Sequence, residues 1–454
     1  MSKNISRREF VKDAGIGAAA LAAAAACGRG TVKSSTETAS GTDAGPEEMP
    51  LRTNPKDGDK VSLLGYGCMR WPMIKDENGK DIIDQAKVDE MIDYAIAHGV
   101  NYFDSSPVYL MGQSEEATGK SLSRYPRESY YVATKLSNFG DPSLKESMRM
   151  YRASFEYFRT DYIDYYLLHS LSDSEAFRKR YVESGMMDFL LKEREAGRIR
   201  NLGFSFHGQK EGFDSLMVEH EKYHFDFVQI QMNYVDWNNA GGRNTNANYL
   251  YDELVKRNLP VVIMEPLLGG QLANIPRTIA DMLKEREPAK SAASWAFRFC
   301  GTYPGVFTVL SGMTYMDHLK DNLDTFLHFK PLSEDELALL ESAAGMIRDY
   351  PLVPCTACQY CMPCPYGIDI PGIFRHYNSC VNDGLIAESA EQKDFKRLKR
   401  KYLTSYDKAI ESVRQADHCI TCGECMSHCP QHIRIPQQLR RIDAYIENLK
   451  QETL

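Results

Sequence analysis

The sequence predicts an α/β chain: a (β/α)8 TIM barrel over residues 54–335, then a smaller, mainly α-helical domain over residues 336–454. Three observations lead there. Eight short apolar runs alternate with longer amphipathic ones in the first region. Ionisable residues stand at the ends of successive runs. After the barrel the composition changes abruptly, to two compact groups of cysteines among helical stretches. The 454 residues, 43% hydrophobic and 26% charged, suit two or three globular domains. A net charge of -8 does not favour nucleic acid or an anionic membrane surface.

Residues 1–27 read as an export signal. SRREFVK places Arg7 and Arg8 ahead of Phe10 and Lys12, and an alanine-rich run then ends at Cys27. This has the form of a twin-arginine address, read by an export machinery that carries folded proteins. Ala24-Ala25-Ala26-Cys27 resembles a lipobox, which would leave Cys27 acylated, and ordinary cleavage after the alanines is the other reading. Residues 28–53 are small, polar and punctuated by glycine and proline, as in a flexible tether. No later stretch approaches 18 uninterrupted apolar residues, so the membrane is expected to be met only through Cys27.

The strand-like runs of the barrel are VSLLGYG, VNYFDSS, YYVATKL, YIDYYLLH, IRNLGFSF, FDFVQIQM, LPVVIMEPL and VFTVLSG. Near-continuous apolar strands joined by helical crossovers predict a parallel sheet covered on both faces. An open doubly wound sheet is the rival, but GYGCMR after the first run lacks the third glycine of the dinucleotide fingerprint. In a closed barrel the active site lies at the C-terminal strand ends. There the second run carries Asp104 and, just beyond, Tyr109; the third ends at Lys135 and the fourth at His169. Each alone has a structural reading, as cap, solvated charge or buried histidine. Together they suggest acid–base chemistry on a carbonyl: an ammonium lowers a phenol's pKa, a carboxylate holds the ammonium, and an imidazole orients the carbonyl oxygen.

The set FDSSPVY, VATK and LLH, in order within a barrel of this length, resembles the catalytic tetrad of the aldo-keto reductases. The resemblance implies that Tyr109 is the general acid, Lys135 and Asp104 tune it, and His169 positions substrate. It also implies a nicotinamide cofactor, NADH or NADPH. Ser205 in GFSFH and Gln229 in FVQIQ match residues that bind the carboxamide. Ser311 and Gly312 match the start of the loop near the pyrophosphate, and Asn322 matches an adenine contact. Met264 stands where a tyrosine often stacks on the nicotinamide. The lysine and arginine that clamp the 2′-phosphate in that family fall at Gly312 and His318, which weakens the case for NADPH over NADH.

The second domain carries Cys355, Cys358, Cys361 and Cys364, then Cys419, Cys422, Cys425 and Cys429. The later group has the C-x2-C-x2-C-x3-C-P spacing of a bacterial-type [4Fe–4S] site, and the earlier is one residue shorter before its last cysteine. Disulfides and structural zinc are the alternatives. Compact quartets do not staple distant segments as disulfides do, and zinc usually takes two separated C-x2-C pairs. Two [4Fe–4S] clusters are therefore expected, with the fourth cysteine crossing over. One cluster would take Cys355, Cys358, Cys361 and Cys429, the other Cys419, Cys422, Cys425 and Cys364. The helical stretches between the groups resemble the all-helical ferredoxin module of respiratory iron–sulfur subunits. Cys68, Cys300 and Cys380 read as buried structural residues.

Export and clusters support each other, because cubanes are assembled on reduced thiols before a folded protein leaves the cytoplasm. The whole chain resembles an iron–sulfur aldo-keto reductase of bacterial exported type, located in the periplasm or cell envelope. The expected activity is oxidoreduction of an aldehyde, ketone or alcohol of sugar-like type, with a redox protein as a further partner. The alternative is an electron-transfer protein whose barrel is a docking or binding module.

Overall fold

A computed structural model of the chain describes residues 48–240 and 244–454. Arg7, Arg8, Cys27 and most of the expected tether lie outside the described residues. Eight parallel strands close into a barrel: β1 (Leu64–Gly67), β2 (Tyr102–Asp104), β3 (Tyr131–Leu136), β4 (Ile163–Leu171), β5 (Ile199–Phe206), β6 (Val228–Gln231), β7 (Val261–Met264) and β8 (Val306–Ser311). Each pairs with its neighbours in sequence, and β8 returns to β1, with Leu310 opposite Gly65. Helices follow the strands and cover the outer face. That explains why β4 is buried along almost its whole length and reads as an unbroken apolar run.

The barrel interior is packed with Tyr102, Ala133, Tyr165, Leu167, Phe227 and Phe307. The opening strand-like run, VSLLGYG, is divided between two sheets. Lys60–Ser62 pairs antiparallel with Leu51–Thr53, and only Leu64–Gly67 enters the barrel. The tether read as reaching residue 53 thus ends in a hairpin. The physical reason is Val61, which is fully buried in the interior cluster. A second hairpin, Met73–Lys75 with Asp81–Ile83, follows β1 and was not foreseen.

The expected domain boundary at residue 335 also shifts. Helix Glu334–Asp349 begins with a reciprocal cap between Ser333 and Glu336. Its Leu340, Ala343, Ala344 and Ile347 pack into the same core as the barrel helices. The C-terminal domain has its own core, built by helices Ile370–Asn382, Phe395–Ala409 and Ile435–Gln451 around Phe374, Tyr402 and Ile442. CPYGIDIP and CPQHIRIP precede the first and last of these helices. In both copies the isoleucines are buried and the final proline opens the helix, where a missing N–H does no harm. Among the described residues no helix is long and apolar enough to cross a membrane.

One buried carboxyl outside the barrel mouth gives the fold a pH dependence. Glu115 accepts hydrogen bonds from the hydroxyls of Thr134 and Ser154, and burial pushes its carboxyl from 4.5 up to about 7. The folded chain therefore keeps this proton at a pH where the unfolded chain has lost it. Stability falls as pH rises through that window, by up to about 3 kcal/mol. Glu115→Gln should remove this loss, so in urea titrations the variant gains on the parent between about pH 5 and pH 8. Parallel stability curves would contradict the assignment.

Candidate active site and cysteine centres

Asp104 closes β2, Lys135 lies in β3 and His169 in β4, and Tyr109 begins the turn Tyr109–Gly112 after β2. Leu110 and Met111 hold that turn with φ of 50° and 57°, a left-handed backbone unusual for such residues. Lys135 Nζ donates to Asp104 Oδ1 at 2.5 Å and to the Ser105 carbonyl at 2.8 Å. Both side chains of this ion pair are at most 3% exposed. Burial raises the Asp104 carboxyl above the usual carboxylate range, and Lys135 opposes that rise.

The expectation that Lys135 lowers the pKa of Tyr109 is not met. The ammonium lies over the ring, 4.9 Å from its centroid, and gives its hydrogen bonds to Asp104 and Ser105. Burial holds the phenol well above the usual tyrosine range, and Asp104, Glu265, Cys68 and Cys358 push the same way. Tyr109 is thus a protonated phenol at neutral pH. His169 is held well below the usual histidine range by burial, then by Lys135 and Arg180, so its ring is neutral. Its Nδ1 lies 2.5 Å from Ser137 Oγ. With that hydroxyl donating, Nε2 carries the hydrogen.

These four residues line one cavity of about 580 Å³, together with Ser205, Gln229, Ser311, Gly312 and Asn322. Ser205 Oγ accepts from the Ser170 N–H at 2.7 Å, and Asn322 Nδ2 donates to Ser311 Oγ at 2.8 Å. Gln229 Oε1 is buried without a hydrogen-bond partner among the described residues. An unsatisfied acceptor is costly, and the amide of a carboxamide would satisfy it, so the residues fit a nicotinamide. Met264 also lines the cavity, as do Asp317, His318 and Asp321 on helix Met316–Leu327, which carries Asn322. A Cβ at Gly312 would come within 3.0 Å of Arg70 Cδ, so the Arg70 stem covers that position.

The cysteines come together in two groups. Burial, then neighbouring thiols including Cys429, pushes Cys355 up to about 11 and Cys358 and Cys361 up to about 12. Cys425 is crowded by Cys422, Cys419 and Cys364, and these four line a second, small cavity. In each group the fourth cysteine comes from the other sequence quartet. No described cysteine is in a disulfide, and Cys68, Cys300 and Cys380 are buried. Among the described residues no three metal-ligating side chains are close enough for a single ion. A cubane spreads its thiolates over four irons and does not need them so close. Ala357, Gln359 and Thr421 take left-handed backbone with φ between 50° and 66°. Such turns aim N–H groups at an anionic centre, so donor set and backbone both fit iron–sulfur clusters.

The cysteine loop also walls the barrel cavity, which the sequence reading missed. Cys358, Tyr360 and Pro430 line it beside Tyr109 and His169. Arg70 Nη2 donates to the Thr356 carbonyl at 2.7 Å and Gln271 Nε2 to the Cys355 carbonyl at 3.1 Å. Gly269, at φ +69°, lies so close that a Cβ would be 2.1 Å from Thr356 Cα. Glu265, in the same wall, is pushed up to about 7 by burial, with Arg70 opposing. In the sequence, the glycine pair Gly269–Gly270 after β7 is a signal that could reveal this close approach.

A closed parallel barrel with this cavity at its C-terminal mouth is followed by a helical domain that carries two groups of cysteines. The pattern of the aldo/keto reductase family matches residues 63–344, and that of the 4Fe-4S dicluster domain matches residues 354–433. The chain belongs to the aldo/keto reductase family. It is 28% identical over 187 residues to the probable aldo-keto reductase 1 of Glycine max, covering 38% of this chain and 49% of that protein. To the D-arabinose 1-dehydrogenase of Saccharomyces cerevisiae it is 31% identical over 166 residues, 34% of this chain and 45% of that one. The chain therefore spans about half the length of these two relatives. The fold is similar to that of an aldo-keto reductase from Klebsiella pneumoniae in complex with NADPH, with a TM-score of 0.52 and 20% identity. That likeness covers 65% of this chain and 95% of that one.

The crossed grouping has a direct check in iron content. Cys429→Ser and Cys355→Ser should each lower the iron bound, and the double variant should lose no more than either alone, since groups in one unit are not additive. Cys429→Ser combined with Cys364→Ser should lose about the sum. Additive loss from Cys429 with Cys355 would overturn the grouping.

Proposed function

We propose that the protein interconverts a carbonyl compound and an alcohol at the barrel mouth, with NADH or NADPH as cofactor and two [4Fe–4S] clusters for electron transfer or structure. The observation that carries this reading is the meeting of Asp104, Tyr109, Lys135 and His169 with the unpartnered Gln229 oxygen on one cavity. A bound nicotinamide would supply the hydride. His169, neutral, offers its Nε2 hydrogen to the substrate oxygen. Tyr109, kept protonated by burial, donates its phenolic proton to that oxygen as charge develops there. The Lys135 ammonium over the ring then stabilises the phenolate, while Asp104 holds the ammonium in place. Aldehydes, ketones and sugars are the substrate class proposed. The carboxylates of Asp317 and Asp321 beside the expected 2′-phosphate position favour NADH, although Arg70 also lines that part of the cavity.

The same proposal includes export through the signal at Arg7 and Arg8, after the clusters are built, with a lipid anchor at Cys27. A redox protein is the further partner. One observation favours the second reading, an electron-transfer protein with the barrel as binding module: the Cys358 thiol borders the cavity.

Tyr109→Phe separates the two. It removes one hydroxyl and keeps the ring, so iron content and folding should be unchanged. Carbonyl reduction should fall by roughly 10²–10⁴-fold, the usual contribution of general acid catalysis. Turnover is read with aldehydes and sugars, using NADH, NADPH and reduced viologen as donors. Unchanged turnover would overturn the reductase mechanism in favour of the second reading.

A further inference from the structure

Tyr360 lies between Cys358 and Cys361 in the C-terminal domain, yet its side chain belongs to the barrel cavity. Its hydroxyl is 3.2 Å from His169 Nε2, and the two rings meet edge-on with centroids 6.3 Å apart. Phe139 packs against both, 6.4 Å from the Tyr360 ring and 5.1 Å from His169. The other ring nitrogen of His169 is already taken by Ser137. Among the described residues the outward nitrogen has one polar partner, and that partner is a phenol from the cysteine loop. A carbonyl oxygen at the site needs the same nitrogen. Tyr360 and the substrate oxygen therefore compete for one hydrogen bond.

The loop holding this phenol is fixed against the barrel on its N-terminal side. Arg70 and Gln271 bind the carbonyls of Thr356 and Cys355 just before it. Gln359, immediately before it, is in left-handed backbone with φ 66°. The placement is thus built into the contact between loop and barrel.

We propose that Tyr360 is a substrate-selecting residue of the barrel site, its hydroxyl holding the place on His169 that the substrate oxygen must take. This rests on the reading of His169 as the group that positions the carbonyl. Substrate exchanges one hydrogen bond for another on entry, and the Tyr360 ring limits the space left for a substituent. Small carbonyl compounds are selected over aromatic ones.

The test uses the full, iron-bearing chain and acetate, whose oxygen can take the His169 hydrogen bond without turnover. Calorimetry should show acetate binding about three- to tenfold more tightly to Tyr360→Phe than to the parent, the worth of one hydrogen bond no longer displaced. KM for acetaldehyde should fall by a similar factor with no fall in kcat. Tyr360→Ala, with the ring also gone, should raise kcat/KM for benzaldehyde relative to acetaldehyde. Unchanged or weaker acetate binding by Tyr360→Phe, or no binding to either protein, would overturn the inference. Tighter acetate binding without carbonyl turnover by either protein would instead retire the proposed reaction and leave Tyr360 where it is placed here.

Discussion

The arrangement of the whole site depends on one close approach, the backbone of Thr356 against Gly269. No Cβ fits at residue 269, and its positive φ suits glycine. The barrel and the C-terminal domain have separate apolar cores, so a shared core does not fix one on the other. This contact holds them together with a rim of specific hydrogen bonds, among them Arg70 to Thr356, Gln271 to Cys355, Asn382 to the Asn274 carbonyl, Tyr360 to His169 and a buried bond between Gln431 and Gln231. Because the loop seated there is the one carrying Cys355, Cys358 and Cys361, the first cysteine group stands against the barrel mouth. The cavity then has walls from both domains.

Inside that cavity, low polarity makes each charge count. The Asp104–Lys135 pair is almost wholly buried, and a pair of this kind is tolerated when further hydrogen bonds hold it. Ser105 supplies one. The same burial that raises Asp104 keeps Tyr109 protonated and His169 neutral. A donor phenol and a neutral imidazole are the states that carbonyl reduction asks for, and here desolvation produces them. Cys358 adds to the field on Tyr109 from the second domain. The proton-donating phenol of the barrel and the first cysteine group are therefore neighbours.

Much of this was legible in the sequence. All eight barrel strands follow from their apolar runs, because a parallel sheet covered by helices buries both faces of a strand. Asp104, Lys135 and His169 announced themselves by standing at strand ends, and the cysteine groups by their spacing. Short-range pattern was misleading where a run changes role midway: VSLLGYG serves a hairpin and then the barrel, since Val61 faces the interior and the chain turns at Leu63. The sign of the shift at Tyr109 was also misread. Proximity of Lys135 suggests a lowered pKa, but the sequence gives no measure of burial, and burial is the larger effect. Tyr360 and Arg70 were invisible because their roles arise from contact between segments 191 and 286 residues apart in the chain. No local signal encodes such a meeting beyond the glycine that permits it.

The central claim is that the barrel cavity and the first cysteine group form one site. Electron paramagnetic resonance of the reduced full chain tests it most directly, recorded with and without NADH at a concentration where calorimetry shows binding. A cluster held partly by Cys358 feels what fills the adjoining cavity, so one of the cluster signals should change its g-values when the cofactor binds while the other stays put. Superimposable spectra with the cofactor bound would contradict the account.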